Sequence, residues 1–390
     1  MRKLLLYIFI GYTFISHFIG YAGVYDQIRL REHSVPAADG VIVHLIEFPT
    51  PHSPKGIKVL TPGIYEDYRS LSKIALAFSK NYKVFIGHVR GTHPKKHPLS
   101  NQHQYGLTEV LTLDLPAHFR YIQKLPHFKS WGKIHLIGHS MGGMQVMALL
   151  SSSEFSDFKN DLKAATVIGS PARLNHSPPE VIYAAKKALP LFKTLRSLNQ
   201  HHRTQDIHTH FFKFTQKLKN APFRSINFLG KAIETIPLEI GIIVLYQTIF
   251  QRDLTQKKEM IRLLRQGVTP VPYSLLEGFA NALVEPDGRV LDKDNNEIIQ
   301  LEKITLPFQL VVLDQDKLVP LQTKREMIKR LKSKIVQIVL LKGVNHVDPI
   351  TTQIPDMLRL IETFGSNPAN TQKERVINLK PSFCERLWIF

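Results

Sequence analysis

Between residues 57 and 171, short apolar runs alternate with segments whose apolar residues recur every three or four positions. IKVLTP (57–62), YKVFIGHV (82–89), KIHLIGHS (133–140) and ATVIGSP (165–171) are apolar enough to be covered on both faces, as strands of a parallel sheet are. Helix-period segments lie between them. Glu66 to Lys80 carries Leu71, Ile74, Ala75 and Phe78 on one side, Glu109 to Leu125 has Pro116 near its first turns, and Met141 to Ser151 follows the third strand. This alternation predicts an α/β fold, a mostly parallel central sheet flanked by helices. Two strands, 28–35 and 41–48, precede it and are joined by a turn at Ala38-Asp39-Gly40.

The alternation breaks off after residue 173. Residues 174–297 read as mostly helical, too long for an ordinary connection, and predict a helical lid or cap inserted into the core. The pattern resumes with LPFQLVVLD (306–314), a helix near 321–332, the strand KIVQIVLL (334–341) and a helix near 353–364. The expected organisation is therefore a core of 26–173 and 298–365, the insertion 174–297, and a polar tail 366–390.

The first 25 residues differ from the rest. Met1-Arg2-Lys3 is followed by an apolar run, Leu4 to Tyr25, of 22 residues with no charge before Asp26. That is the pattern of a secretory signal or an uncleaved anchor, so export or membrane anchoring is expected, with Ala22 as a cleavage site in the first case. A net charge of +19 makes an anionic membrane surface an expected partner. Nucleic acid is not expected, because the sequence lacks zinc-finger spacing, an RNP-like aromatic motif and a basic-region helix. The single cysteine, Cys384, allows no intrachain disulfide.

Chemistry enters at Gly138-His139-Ser140-Met141-Gly142, a G-x-S-x-G pattern placed between an apolar strand and a helix. There it makes a nucleophile elbow: a sharp turn lifts the Ser140 hydroxyl above the sheet, and the glycines leave room where strand and helix nearly touch. The helix start beside the serine favours negative charge, and the Met141 N–H becomes one oxyanion donor. A second donor is expected from the loop after strand 57–61, where Gly63 permits the turn and Ile64 offers its N–H. A serine nucleophile needs a base, and the base an orienting carboxylate, following in the order serine, acid, histidine. His346, just past strand 334–341, is the histidine in the required place. Asp316 is the expected orienter because it lies deeper in its loop; Asp314, which ends the strand, is the alternative. Asp348 is too close in sequence to His346 to face it.

Three further stretches extend the reading. Phe85-Ile86-Gly87-His88-Val89-Arg90-Gly91, Asp114-Leu115-Pro116-Ala117 and Asn345-His346-Val347-Asp348 resemble segments of acid lipases, and the elbow GHSMGG resembles that of bacterial esterases, lysophospholipases and monoacylglycerol lipases. Over about residues 40–172 and 303–364 the chain resembles the α/β-hydrolase superfamily. The resemblance implies a lid over the serine, a small-molecule or lipid acyl-ester substrate and no cofactor. It departs from acid lipases at Pro62, where they carry histidine, and at Met141, where they carry glutamine.

The apolar stretch 237–250, with Phe211, Phe212 and Phe214, is the expected acyl-pocket lining. No metal is expected: the cluster His201-His202, Asp206 and His208-x-His210 has a two-residue spacing that does not put ligands on one helix face. Two other readings stay open. An aminopeptidase of the same fold would need an acidic group for the substrate amine, for which Glu239, Glu277 and Glu285 are candidates. A membrane-tethered binding protein would have no turnover.

Overall fold

The computed structural model describes residues 29–91, 105–201, 272–352, 354–371 and 373–378. Among the described residues nine strands form one sheet, in the order β1-β2-β4-β3-β5-β6-β7-β8-β9. β1 (Arg31–Pro36), at the edge, is antiparallel to β2 (Ile42–Glu47), and β2 also runs antiparallel to β4 (Lys83–Gly87). The others are parallel: β3 (Ile57–Thr61), β5 (Ile134–His139), β6 (Leu162–Ile168), β7 (Phe308–Leu313), β8 (Val336–Lys342) and β9 (Glu374–Asn378). The uninterrupted apolar runs have the expected cause, since every residue of β3, β4, β5 and β7 is buried.

Alternate residues serve two cores. Ile57 and Val59 of β3 and Phe308, Leu310 and Val312 of β7 face one cluster. Leu60, Val311 and Leu313 face the other, with the apolar side of helix α1 (Tyr68–Ser79). That side is the predicted one: Leu71, Ile74, Ala75 and Phe78 are all buried. Asp67 caps α1 by accepting the Arg69 N–H at 2.8 Å.

The helix read over 109–125 starts at Leu107. It widens to a π turn over Val110–Asp114 and continues as α2 (Leu115–Gln123). Pro116 explains the widening, because its missing N–H cannot bond the preceding turn. Within the π turn, Asp114 accepts from Arg90 Nε at 2.6 Å and from the Arg90 N–H at 3.0 Å.

Helix α3 (Met141–Ser151) is buried all round, as expected of a helix apolar on every side. β6 begins three residues before the predicted 165 and stops at Ile168, because Gly169, at φ +55°, turns the chain out of the sheet. Between β6 and β7 the described helices include α4 (Pro179–His201) and α5 (Tyr273–Val284), which pack on each other. The Ser274 hydroxyl bonds to the Tyr105 carbonyl at 2.5 Å, tying α5 to the helix that starts at Leu107. After β7 come α6 (Leu321–Arg330) and α7 (Pro355–Ser366). β9 arises inside the segment read as a polar tail and pairs in parallel with β8. Its side chains from Glu374 to Ile377 are exposed or half-buried, so no apolar run announces it.

The predicted signal or anchor 1–25, the acyl-lining residues 211–214 and 237–250, His202, Asp206, His208, His210, Glu239 and Cys384 lie outside the described residues. Among the described residues no helix is long and apolar enough to cross a membrane.

Candidate active site

β5 ends at His139, and Ser140 makes the turn into α3 with φ +52° and ψ −122°, a backbone conformation rarely held by a residue with a side chain. The turn is fixed from both sides. The Ser140 N–H donates to the Ile168 carbonyl at 3.0 Å, and its own carbonyl accepts from the N–H groups of Gly143 and Met144. A Cβ on Gly142 would lie 2.1 Å from the carbonyl oxygen of Thr61, so α3 can sit this close to β3 only with glycine there. The Thr61 hydroxyl closes the contact by donating to the Gly142 carbonyl at 2.9 Å.

His346 Nε2 lies 2.9 Å from Ser140 Oγ, and His346 Nδ1 lies 3.0 Å from Asp316 Oδ2. A carboxylate only accepts, so Nδ1 carries the proton and Nε2 is the acceptor for the serine hydroxyl. Three side chains 30 to 206 residues apart in sequence thus meet at the carboxyl ends of β5, β7 and β8. Asp316 and His346 are buried, and Ser140 is partly open. Gly169 leaves the space for the pair, since a Cβ there would come within 3.2 Å of Asp316 Oδ2.

The two candidate carboxylates have separate contacts. Asp316 Oδ1 accepts the N–H groups of Leu318 and Val319, leaving Oδ2 for the imidazole. Asp314 Oδ1 accepts those of Gly343 and Val344, and so holds the start of the loop that carries His346. Asp348 turns back on that loop, accepting the Asn345 N–H at 2.8 Å. Burial alone would raise the Asp316 pKa; the facing imidazole, its hydrogen bond, Lys324 and the Val319 N–H outweigh it and hold the carboxyl below its ordinary range.

Met141 is the first residue of α3, and its N–H is among those a helix start leaves without an intrahelical carbonyl. Ile64 lies in the loop after β3. This loop abuts the serine: a Cβ on Gly63 would be 3.0 Å from Ser140 Cβ. The next residue, Tyr65, has φ +63°. Of the acidic groups considered for an amine, Glu285 is engaged by Arg289 through side chain and backbone, and Glu277 is buried on α5.

Sequence reasoning missed three groups. Lys324 lies buried behind Asp316, with Nζ 3.7 Å from Oδ2, and donates to the Leu313 carbonyl at 2.7 Å. Burial pushes its pKa down against the pull of Asp316. Glu66 and His139 form a buried pair behind Ser140. The available signals were slight: His139 is inside the elbow motif, and Glu66 follows Gly63 by three residues.

In sequence, residues 59–351 match the family model for the alpha/beta hydrolase fold. No curated protein matches the chain. Among solved structures, an esterase from Thermogutta terrifontis shares 16% identity at a TM-score of 0.50, with 86% of this chain and 96% of that one covered. The enol-lactonase of Burkholderia xenovorans LB400 shares 15% at 0.51, covering 84% and 97%. A membrane phospholipase A described as a bacterial virulence factor shares 15% at 0.51, covering 95% and 100%. At such identities these structures share the fold. The matched span runs from β3 to the short helix after His346 and takes in the serine turn between them, so this chain belongs to the α/β-hydrolase fold family.

Proposed function

We propose that the protein is a serine hydrolase that cleaves carboxylic esters through an acyl-enzyme, with Ser140 as nucleophile, His346 as base and Asp316 as orienter. The observation that carries this reading is the unbroken path from Ser140 Oγ through the imidazole to the Asp316 carboxylate, at 2.9 and 3.0 Å. The Ser140 hydroxyl attacks the ester carbonyl while Nε2 takes its proton. Asp316 holds the ring and stabilises its charged form. The N–H groups of Met141 and Ile64 receive the oxyanion, each worth roughly 3 kcal/mol in such sites. The imidazolium then gives its proton to the leaving alcohol. Water, activated by the same nitrogen, attacks the acyl carbonyl and releases the acid with Ser140 restored.

The substrate class in this reading is a lipid-like ester, a lysophospholipid or an acylglycerol. Its supports are the apolar content of the insertion and a net charge of +19, suited to an anionic membrane surface facing an exported or anchored enzyme. The structural relatives include proteins named as an esterase, an enol-lactonase and a phospholipase, and support acyl-ester chemistry through the shared fold only.

The test is a panel of p-nitrophenyl esters from two to sixteen carbons, with lysophosphatidylcholine, a monoacylglycerol and aminoacyl anilides, run on wild type and Ser140→Ala. Turnover of esters that the substitution abolishes, with fluorophosphonate labelling of Ser140, is expected. Preference for anilides would replace the ester reading with an aminopeptidase. Absence of labelling in folded protein would leave a binding protein. Equal rates on acetyl and long-chain esters would remove the lipid assignment.

A further inference from the structure

Behind the serine lie two ionisable side chains for which the proposed proton transfers have no use. His139 Nδ1 is 2.9 Å from Glu66 Oε1, and His139 Nε2 is 2.9 Å from the backbone carbonyl oxygen of His346. Both partners can only accept when Glu66 is ionised, so both ring nitrogens carry protons and His139 is an imidazolium. The other Glu66 oxygen accepts the Gly63 N–H at 2.9 Å and the Ser70 hydroxyl at 3.0 Å. Both side chains are buried.

Burial works against each charge, and each partner more than restores the other: the His139 pKa is raised and that of Glu66 lowered. The groups facing His139 are Glu66, the His346 ring at 5.1 Å between centroids, and the more remote Asp316. Glu66 neutralises the charge that His139 would otherwise set beside the base.

The pair links three segments at the strand ends, past the last β3–β5 ladder partners, Thr61 and Gly138. One is the β3 loop, with Gly63 and the Ile64 N–H. Another is the elbow, since His139 precedes Ser140. The third is the backbone of His346. A buried ion pair is a poor way to gain stability alone, since apolar side chains of the same volume often do as well. What it provides is direction, because these four hydrogen bonds fix where the loops stand.

We infer that Glu66 and His139 are positioning residues that hold the oxyanion-side loop and the backbone of His346 in register around Ser140, and so govern turnover rather than substrate affinity. The turnover part rests on the hydrolase reading; the positioning part does not. The Glu66 carboxylate bonds to Gly63, Ser70 and His139, and it is His139 that bonds to the His346 backbone, so an effect of Glu66 on that loop passes through His139.

The experiment uses Glu66→Gln, His139→Gln, their double variant and Glu66→Asp in the full chain. kcat and KM on a short-chain p-nitrophenyl ester are normalised to fluorophosphonate-titrated sites, and hydrogen exchange is followed over 60–68 and 343–349. Each Gln variant should lose about tenfold to a hundredfold in kcat per site, with KM within about twofold. The double variant should lose no more than the worse single, as residues acting as a unit do. Exchange should quicken in both loops, including 343–349 in Glu66→Gln. Glu66→Asp, which keeps the charge at shorter reach, should fall between wild type and Gln and serves if the Gln variants do not fold. Unchanged exchange over 343–349 in the Glu66 variants overturns the proposal, as does kcat per titrated site within about twofold of wild type. A wild type with no esterase activity overturns the hydrolase reading instead, and exchange alone then decides the positioning.

Discussion

Two buried polar chains cross this sheet, and they differ in nearly every respect. One gathers at the carboxyl ends of the strands, where Asp316, His346, Glu66 and His139 surround a partly open serine. The other runs through the body of the sheet. Lys58 Nζ lies 3.1 Å from His135 Nδ1, His135 Nε2 lies 2.8 Å from the Thr166 hydroxyl, that hydroxyl donates to Gln309, and Gln309 donates to Gln337 at 2.5 Å. Lys58 and His135, Thr166 and Gln309, and Gln309 and Gln337 are also ladder partners. The donors point one way along the row, so His135 is neutral there, in line with the strong depression of its pKa by burial. Gln309 also reaches the Leu360 carbonyl on α7 at 3.2 Å. The row sits within the strands, none of its residues has a positive φ, and the one irregularity it meets is a register shift of β5 against β6 between Ile134 and His135. Around the serine, by contrast, Tyr65 and Ser140 hold positive φ. Polar groups within strands fasten neighbouring strands to each other. Those at strand ends, freed from the ladder, can converge on one point.

The sharpest break between the two regions should come from Asp316→Asn. An amide at this position orients the wrong imidazole tautomer, so kcat should fall by roughly a thousandfold to ten-thousandfold with the fold intact. Asp314→Asn, two residues away, should slow turnover far less and act through the loop it fastens. Steady-state kinetics on the two purified variants decide this. Equal losses would mean that the Asp316–imidazole contact has no special part in turnover.

That pair also shows what the sequence could reveal. The strand–turn–helix setting of GHSMG, the alternation of elements and the place of His346 are local patterns, and the structure brings Ser140, Asp316 and His346 together as they imply. Asp316 could be preferred over Asp314 only by loop depth; the contacts that separate them are made 29 and 30 residues along the chain. Glu66 and His139 meet across 73 residues, and no spacing rule pairs them. β9 escaped because an edge strand with exposed side chains lacks the apolar run that marks a buried one. The helix start at Leu107 escaped for a different reason: its cap is Gly106, three residues upstream of the visible periodicity, whose N–H is accepted by the Glu109 carboxylate at 2.7 Å.

The next effect in size is steric and belongs to the serine region. Gly142→Ala would place a methyl 2.1 Å from a backbone oxygen that no rotamer can move. A loss of roughly 3 kcal/mol in denaturant unfolding is expected, with α3 forced away from β3. In the strand row, Gln309→Leu keeps the volume and removes the Thr166 acceptor. A loss of about 1–3 kcal/mol is expected, with kcat per titrated site unchanged. A matching fall in kcat would mean that the row reaches the site and that the two regions are not separate.

The smallest effect lies at the far end of the row. Lys58 is buried against the rings of Phe78 and Tyr82, with Nζ 4.9 and 4.3 Å from their centroids, and burial pushes its pKa down to about 7 from the ordinary 10.5. Below about pH 7 the amine is charged in both folded and unfolded chains, and the folded chain carries the full desolvation cost. Between about 7 and 10.5 the unfolded chain still binds the proton while the folded chain has lost it, so this residue makes stability rise with pH. Lys58→Met keeps the stem packed between the rings and abolishes the slope. The variant should therefore exceed wild type in Tm by a few degrees near pH 7, less the loss of one hydrogen bond to His135, and the gap should close toward pH 10. Parallel Tm curves for the two proteins across that range would show that Lys58 binds its proton equally in both states, and that the row tolerates a charge as readily as the serine region does.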